Sequence, residues 1–254
     1  MPARTMRWNC AGHSATGTSH VAAQLPCQDC FGHSPAGSPR RILAIADGAG
    51  SAKHPEEGAR HAVAAMIRAL SAYDGKIEEI TEEQGAALGA QVRGELQRQC
   101  EEAGVALEDF ACTLLAAAFE DDTAYFWQIG DGAWLLESPA GIACATRPVK
   151  GEFHNQTSFI TSANWEQHWQ HAVFNEAIAA MGFTDGLEMF CLEPRLDQAH
   201  LPFVGKIFAA LQGEPEEDEI RAKIEGMLGS PVITSREDDD LTLALAWRGR
   251  EDVP

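Results

Sequence analysis

Four aspartates share one kind of place in the sequence, beside the end of an apolar run and next to a tight turn. They are Asp47 in ILAIADGAG, Asp131 in QIGDG, Asp185 in FTDGLEMF and Asp239 in EDDDLTLALAW. Taken singly, each is an ordinary turn residue, since Asp-Gly is among the commonest turn dipeptides. Taken together at converging strand ends, their carboxylates would repel one another strongly unless a cation lay between them. The set therefore indicates a metal site.

The residue types at this site select the metal and suggest its chemistry. Oxygen ligands with no histidine among them favour Mg²⁺ or Mn²⁺ over zinc. Gly48 lets the backbone bend sharply after Asp47, so that its carbonyl can turn inward as a neutral ligand. These residue types therefore indicate a magnesium or manganese site.

The elements that must position these aspartates are strands and amphipathic helices. Strands are predicted at 42–46, 112–119, 124–130, 133–137, 159–163, 178–183 and 241–247. The three central runs are separated at hairpin distance, which predicts an antiparallel meander. Apolar residues at helical spacing predict helices from Glu57 to about Tyr73, over 83–102 before Gly104, from Pro202, and around Ile220 to Leu228. The acidic run 214–219 is predicted to be a solvated loop. The pattern indicates an α+β domain whose sheets are covered by helices.

Composition limits the classes of function. The 254 residues are 45% hydrophobic, which predicts one domain over 1–254. The net charge of -19 repels nucleic acid backbone and anionic lipid, so neither partner is expected. The chain has seven cysteines, no apolar signal segment, and no apolar run that approaches the roughly 18 residues needed to span a bilayer. These features predict reduced thiols in a cytoplasmic protein.

Five motifs in order carry a resemblance to a known family. They are Cys27-Gln28-Asp29, ADGAG, TLLAAAF followed by QIGDG, FTDGLEMF, and DDDLT. Between residues 12 and 247 the chain resembles the metal-dependent type 2C protein phosphatases, in a compact bacterial form. The resemblance implies a four-layer αββα sandwich, two antiparallel sheets between pairs of helices, with a binuclear Mn²⁺ or Mg²⁺ centre at one edge.

The resemblance also assigns roles to residues at the matching positions. Asp47 would bridge both metals, while Asp185 and Asp239 would hold the first. Gly48 would offer its carbonyl to the second metal, with Asp29 nearby, and Asp131 would join Asp185 at a weaker third site. The implied activity is hydrolysis of phosphoserine and phosphothreonine in signalling proteins, the targets of a Ser/Thr kinase. Two divalent ions would clamp the phosphate, offset its charge and lower the pKa of a bridging water from about 16 toward neutrality, and no protein nucleophile is evident.

Three departures from the family pattern bear on activity. Gln28 replaces an acidic residue, and Asp240 replaces an asparagine, adding a charge that either adjusts metal affinity or faces solvent. The arginine that grips phosphate in many relatives is missing, which leaves His20 as the candidate phosphate-binding residue. An alternative is therefore a weak or inactive type 2C-like regulatory or binding domain. The presence of Asp47, Asp185 and Asp239 favours an enzyme.

Three further interpretations compete at single motifs. Cysteine and histidine spacing near the N-terminus would suit zinc, using Cys10, His13, His20, Cys27, Cys30 and His33. The phosphatase register argues against zinc, because it requires Asp29 to point at the metals. A haloacid-dehalogenase-type phosphatase needs a second aspartate where this chain has Ala49. Trp165 and Trp169, four apart on a predicted helical turn, would pack in the core or belong to a flap beside the metals.

Overall fold

The computed structural model describes residues 6–149, 157–213 and 215–250. Its strands form two antiparallel sheets of five strands each. The strands are β1 Met6–Ala15, β2 Asp29–His33, β3 Arg41–Asp47, β4 Leu114–Glu120, β5 Thr123–Ile129, β6 Ala133–Ser138, β7 Gly141–Cys144, β8 Trp169–Phe174, β9 Ala179–Phe183 and β10 Leu241–Arg250. The first sheet has the order β1-β10-β9-β6-β7, and the second has the order β2-β3-β4-β5-β8.

Two long helices cover the second sheet. Helix α2 (Pro55–Ala72) begins with a proline, whose missing N–H costs nothing in the first turn. Helix α3 (Glu82–Ala103) begins with a capping box between Thr81 and Gln84. It ends at Gly104, whose φ of 70° is a conformation that glycine adopts without strain. Both predicted helices are confirmed.

Shorter helices cover the first sheet. They are α4 Glu188–Cys191, α5 Leu201–Leu211, α6 Glu217–Leu228 and α7 Pro231–Thr234; a further short helix, α1 Thr18–Ala23, follows β1. Apolar side chains of α5 and α6, among them Phe208 and Ile224, form a core with Leu243 and Leu245 of β10. No helix in the described residues is both long and apolar enough to cross a bilayer.

A central core lies between the sheets and joins them. It includes Leu43 and Ile45 from the second sheet and Trp134 and Ala244 from the first. Helices, sheet, sheet and helices therefore stack as four layers, each burying its apolar face against the next. The predicted four-layer αββα sandwich is confirmed.

The predicted three-strand meander is wrong at its last strand. β4 and β5 form a hairpin, but β6 leaves their sheet and pairs with β9 and β7 of the other. Gly130, with φ of 115°, redirects the chain. A Cβ on Gly132 would lie 2.4 Å from the carbonyl oxygen of Phe183, so glycine is needed for the close approach to β9.

The predicted strand at 159–163 is also wrong, because residues 160–163 form turns and a bend that belong to neither sheet. The Arg93 guanidinium donates to the carbonyl oxygens of Ile160 (2.9 Å) and Ser162 (3.0 Å). Ile160 and Thr161 are nevertheless buried, which explains their apolar signal.

Two smaller predictions need correction. Trp165 lies in a 3₁₀ helix (Trp165–Gln167) and Trp169 begins β8, so they do not share an α-helical turn. Their ring centroids lie 6.4 and 5.6 Å from that of Trp127, in agreement with core packing. The acidic run is a loop only before Glu217; its last three residues form the first turn of α6, where they complement the helix dipole. Residue 214 lies outside the described residues.

Candidate metal centre and active site

Three of the predicted aspartates meet at one edge of the sandwich. Asp47 is the last residue of β3, Asp131 lies in the turn that carries the chain from β5 to β6, and Asp185 begins a 3₁₀ helix after β9. One carboxylate oxygen from each lies within 4.8 Å of the other two. We call these residues the aspartate triad. Strand ends from both sheets thus bring together charges that are far apart in the sequence.

Burial and mutual repulsion destabilise the ionised form of the triad carboxylates. Burial raises the pKa of Asp47 well above its usual value, and the negative charges of Asp29, Asp185, Asp131 and Asp239 raise it further. Burial, followed by repulsion from Asp131 and Asp29, raises the pKa of Asp185 to about 7. A divalent cation would relieve both effects, and carboxylate oxygens are the ligands that Mg²⁺ and Mn²⁺ prefer. The residues present therefore fit the predicted metal.

Asp29 lies beside Asp47 and is held by two hydroxyl groups. The Cα atoms of Asp29 and Asp47 pair across the β2–β3 ladder. Asp29 Oδ2 accepts hydrogen bonds from Thr184 (2.8 Å) and Thr242 (2.7 Å). Burial nevertheless raises the pKa of Asp29 to about 7. Thr184 lies in the motif FTDG and Thr242 in DDDLT, but neither is among the predicted site residues.

Backbone contacts fix the Asp47-Gly48 turn. The Asp47 N–H donates to Thr113 Oγ1 at 2.9 Å, and the Thr113 N–H donates to the Asp47 carbonyl at 2.8 Å. A Cβ on Gly48 would lie 2.5 Å from the carbonyl oxygen of Pro55, which shows why glycine is needed. The use of the Gly48 carbonyl as a metal ligand stays a prediction.

Asp239 and Asp240, which directly precede β10, have opposite environments. Asp239 is exposed, and its charge contributes to the raised pKa values of Asp47 and Asp185. Asp240 is only 3% exposed, so the alternative in which it faces solvent is wrong. Its carboxylate accepts hydrogen bonds from the backbone N–H groups of Gly17 (2.7 Å) and Gln28 (2.5 Å). Asp240 thus ties the N-terminal segment to β10.

His20, on α1, lies against Asp240 and beside Asp239. Its Nδ1 is 3.0 Å from Asp240 Oδ2, within ion-pair distance but without the alignment of a hydrogen bond. Potential ligand atoms of His20, Asp239 and Asp240 lie within 4.8 Å of one another. We call these three the histidine–aspartate group. His20 is therefore positioned near the metal edge, and its role in binding phosphate stays a prediction.

Gln128, which is not among the predicted site residues, supports the Asp131 turn. Its side chain is fully buried, and Nε2 donates to the carbonyl oxygens of Gly132 (2.6 Å), Arg147 (2.9 Å) and Gly130 (3.3 Å). Asp131 itself accepts a 2.5 Å hydrogen bond from Thr157. A lone glutamine inside the apolar run AYFWQI was the available signal, because a buried amide needs specific partners.

The predicted zinc alternative finds no support in the described residues. There, the groups of possible ligands close enough to hold an ion are the aspartate triad and the histidine–aspartate group. The six cysteine and histidine residues of the zinc hypothesis do not converge. All seven cysteines are free.

Comparison with known proteins identifies the class. The family model described as protein phosphatase 2C matches residues 16–229. Serine/threonine-protein phosphatase 3 of Escherichia coli (strain K12) is 32% identical over 258 residues, spanning 95% of this chain and 98% of the relative. The chain therefore belongs to the protein phosphatase 2C family. The predicted family and enzyme class, a metal-dependent protein phosphatase, are confirmed.

Solved structures show the same fold. The S. agalactiae serine/threonine phosphatase has a TM-score of 0.65 at 14% identity, covering 95% of this chain and 99% of that one. The catalytic domain of serine threonine protein phosphatase PstP, in complex with 2 manganese ions, has a TM-score of 0.63 at 18% identity, covering 96% and 99%.

Proposed function

We propose that this protein is a manganese- or magnesium-dependent serine/threonine phosphatase that hydrolyses phosphomonoesters on proteins. The observation that carries the proposal is the aspartate triad, three carboxylates whose oxygens lie within 4.8 Å of one another. Membership of the phosphatase family supplies the reaction class, and the name of the Escherichia coli relative suggests phosphoserine and phosphothreonine as substrates.

Individual residues have distinct parts in this proposal. Asp47, Asp185 and Asp239 would hold the first of two cations, with Asp47 shared between both; Gly48 and Asp29 would serve the second, and Asp131 a weaker third. When bound, the cations would supply charge compensation for the phosphate and a more acidic water.

The chain itself positions these ligands. Thr113 holds the Asp47 turn, while Thr184 and Thr242 orient Asp29. Gln128 holds the turn at Asp131. His20, placed beside Asp239, would donate to a phosphate oxygen in place of the arginine that the family resemblance leads one to expect.

The biological setting is a further part of the proposal. Seven free cysteines suit a reducing compartment, so we place the enzyme in the cytoplasm. Its substrates would be signalling proteins phosphorylated by a Ser/Thr kinase. The formal net charge of -19 argues against nucleic acid and anionic membranes as partners.

The test is hydrolysis of p-nitrophenyl phosphate and of a phosphothreonine peptide by the purified protein. We expect activity with Mn²⁺ or Mg²⁺, loss in EDTA and recovery when Mn²⁺ is added in excess, because the ligands are oxygen atoms. Full activity in chelator would exclude the metal mechanism. Manganese binding without hydrolysis of either substrate would instead favour the regulatory-domain alternative.

A further inference from the structure

An apolar groove of about 240 Å³ separates the two main helices on the first sheet. Helices α5 and α6 form its walls through Phe203, Ile207, Ile224 and Met227, while Leu243 and Leu245 of β10 also line it. The groove belongs to the outer helix layer and contains none of the proposed metal ligands.

One wall of the groove is an unusually apolar surface helix. Helix α5, LPFVGKIFAAL, contains a single charged residue, Lys206. Leu201 is 56% exposed, and Ala209 and Ala210 are exposed as well. A surface helix normally turns a polar face to water, so this composition indicates that part of α5 contacts something other than solvent.

Although the protein is acidic, one of the two lysines that line the groove lacks an acidic partner among the described residues. Lys206 and Lys223 both line it. Lys223 pairs with Glu219 at 2.7 Å, Lys53 with Asp109 at 3.1 Å and Lys76 with Glu78 at 3.3 Å. Among the lysines that the structure describes, Lys206 alone has no ion pair, although the chain has 38 acidic residues.

The position of Lys206 suits a ligand with two chemically different ends. Lysine can lay its aliphatic stem along an apolar surface while the ammonium group stays in water. Here the stem borders the groove and the ammonium group is free to bind an anion. An apolar interior with an unpaired cation at its margin is complementary to an alkyl chain that ends in a carboxylate.

We propose that this groove binds a fatty-acid-type anion, a single alkyl chain of medium length with a terminal carboxylate beside Lys206. Its volume lies just below the range of about 300–1,000 Å³ common for small-molecule sites, which suits one chain and not a two-chain lipid. A second copy of the protein fits less well. A two-fold contact would bring together two copies of the same patch, each with an unpaired Lys206, on molecules that each carry a net charge of -19.

The first experiment is calorimetric titration of the full-length protein with decanoate and, separately, with decyltrimethylammonium, both below their micelle concentrations. We expect saturable decanoate binding with one site per chain, and binding of the cation weaker by at least about fivefold. Equal binding of the two amphiphiles, or no decanoate binding, would overturn the proposal.

Matched variants locate the site. Lys206→Glu should weaken decanoate binding at least about fivefold, while Lys76→Glu, with the same charge change on a remote exposed lysine, should leave it within about twofold. Ala210→Trp should fill the groove from its exposed margin and weaken binding at least about tenfold. Ala209→Trp adds the same ring at a neighbouring exposed residue that does not line the groove, and should bind decanoate normally.

Two controls keep the result interpretable. Thermal unfolding of each variant verifies that it is folded, and both tryptophan variants change only exposed alanines. Sedimentation of the ligand-free protein tests the second-copy alternative. A concentration-dependent dimer that Ala210→Trp disrupts and Ala209→Trp preserves would assign the groove to a second copy and overturn the fatty-acid proposal.

Discussion

The aspartate triad and the histidine–aspartate group contain similar residues but balance their charges differently. Within the described part of the chain, no lysine, arginine or histidine forms an ion pair with Asp47, Asp131 or Asp185. In the other group, Asp240 accepts two backbone N–H hydrogen bonds and lies 3.0 Å from His20. The triad therefore needs a cation to offset its charges. Protein hydrogen-bond donors already satisfy the Asp240 carboxylate, so Asp240 has a structural role.

The largest effect is expected for Asp47→Asn in the triad. Removing this charge should lower kcat at least about a hundredfold, because it removes a main electrostatic element of the site. Steady-state kinetics with Mn²⁺, together with calorimetric metal binding, measure the loss. Asp122→Asn, at an exposed turn between β4 and β5, is the matched control and should retain activity. A kcat within a few fold of wild type would rule out a bridging role for Asp47.

The adjacent aspartates should separate catalysis from stability. Asp239→Ala should abolish most activity with little change in the free energy of unfolding, since its side chain is exposed. Asp240→Ala should lower that free energy by about 2–4 kcal/mol, because two buried N–H groups lose their acceptor. Urea unfolding and phosphatase assays on both variants measure the two effects. If Asp240→Ala removes activity at normal stability while Asp239→Ala spares it, the assignment is off by one residue.

The stability of the metal-free protein should fall as pH rises from about 4 to about 7. The pKa values of Asp29 and Asp185 are raised from 3.8 to about 7, so the folded state binds more protons than the unfolded state within this window. The free energy of unfolding therefore decreases with pH, by up to about 1.4 kcal/mol per pH unit for each carboxyl group.

Urea unfolding in EDTA across this pH range measures the slope. Asp47→Asn should make the decline shallower, since it removes one of the interacting carboxyl groups. Saturating Mn²⁺ should counteract the decline in the free energy of unfolding, because deprotonated ligands bind metal more tightly. A metal-free protein whose stability rises steadily from pH 4 to 7 would contradict the uncompensated triad.

The smallest effect is expected at His20. Asparagine places a donor near the position of the histidine Nδ1 but lacks the second ring nitrogen, so His20→Asn can keep the Asp240 contact while losing a phosphate contact. We expect KM to rise by about three- to fivefold with kcat little changed, as for a partly exposed charge interaction. His20→Ala serves as the comparison. A normal KM in His20→Asn with reduced stability in His20→Ala would make the role of His20 purely structural.

Much of the metal edge could be predicted from local patterns. An aspartate after an apolar run and before glycine lies at a strand end, and this holds for Asp47 at the end of β3. The helices α2, α3, α5 and α6 follow from apolar periodicity, since a helix buries one face. These features depend on residues within a few positions of one another, so the sequence alone was sufficient.

Contacts between distant segments could not be predicted in this way. The apolar pattern of β6 suits either sheet, and only the turn at Gly130 and the close approach of Gly132 to Phe183 decide its partner. The hydrogen bond from Thr184 to Asp29 joins residues 155 positions apart. The burial of Asp240 likewise depends on Gly17 and Gln28, more than 200 residues earlier in the chain.

The sequence by itself therefore determined which residues could bind metal, because turn chemistry and strand periodicity are local properties. The tertiary structure decided which of them share a site: it gathered Asp47, Asp131 and Asp185 and gave Asp240 protein partners instead. It also left a groove between α5 and α6, which no local pattern encodes. The physical reason is that repulsion, burial and packing depend on distances between side chains, and folding sets those distances through contacts far apart in sequence.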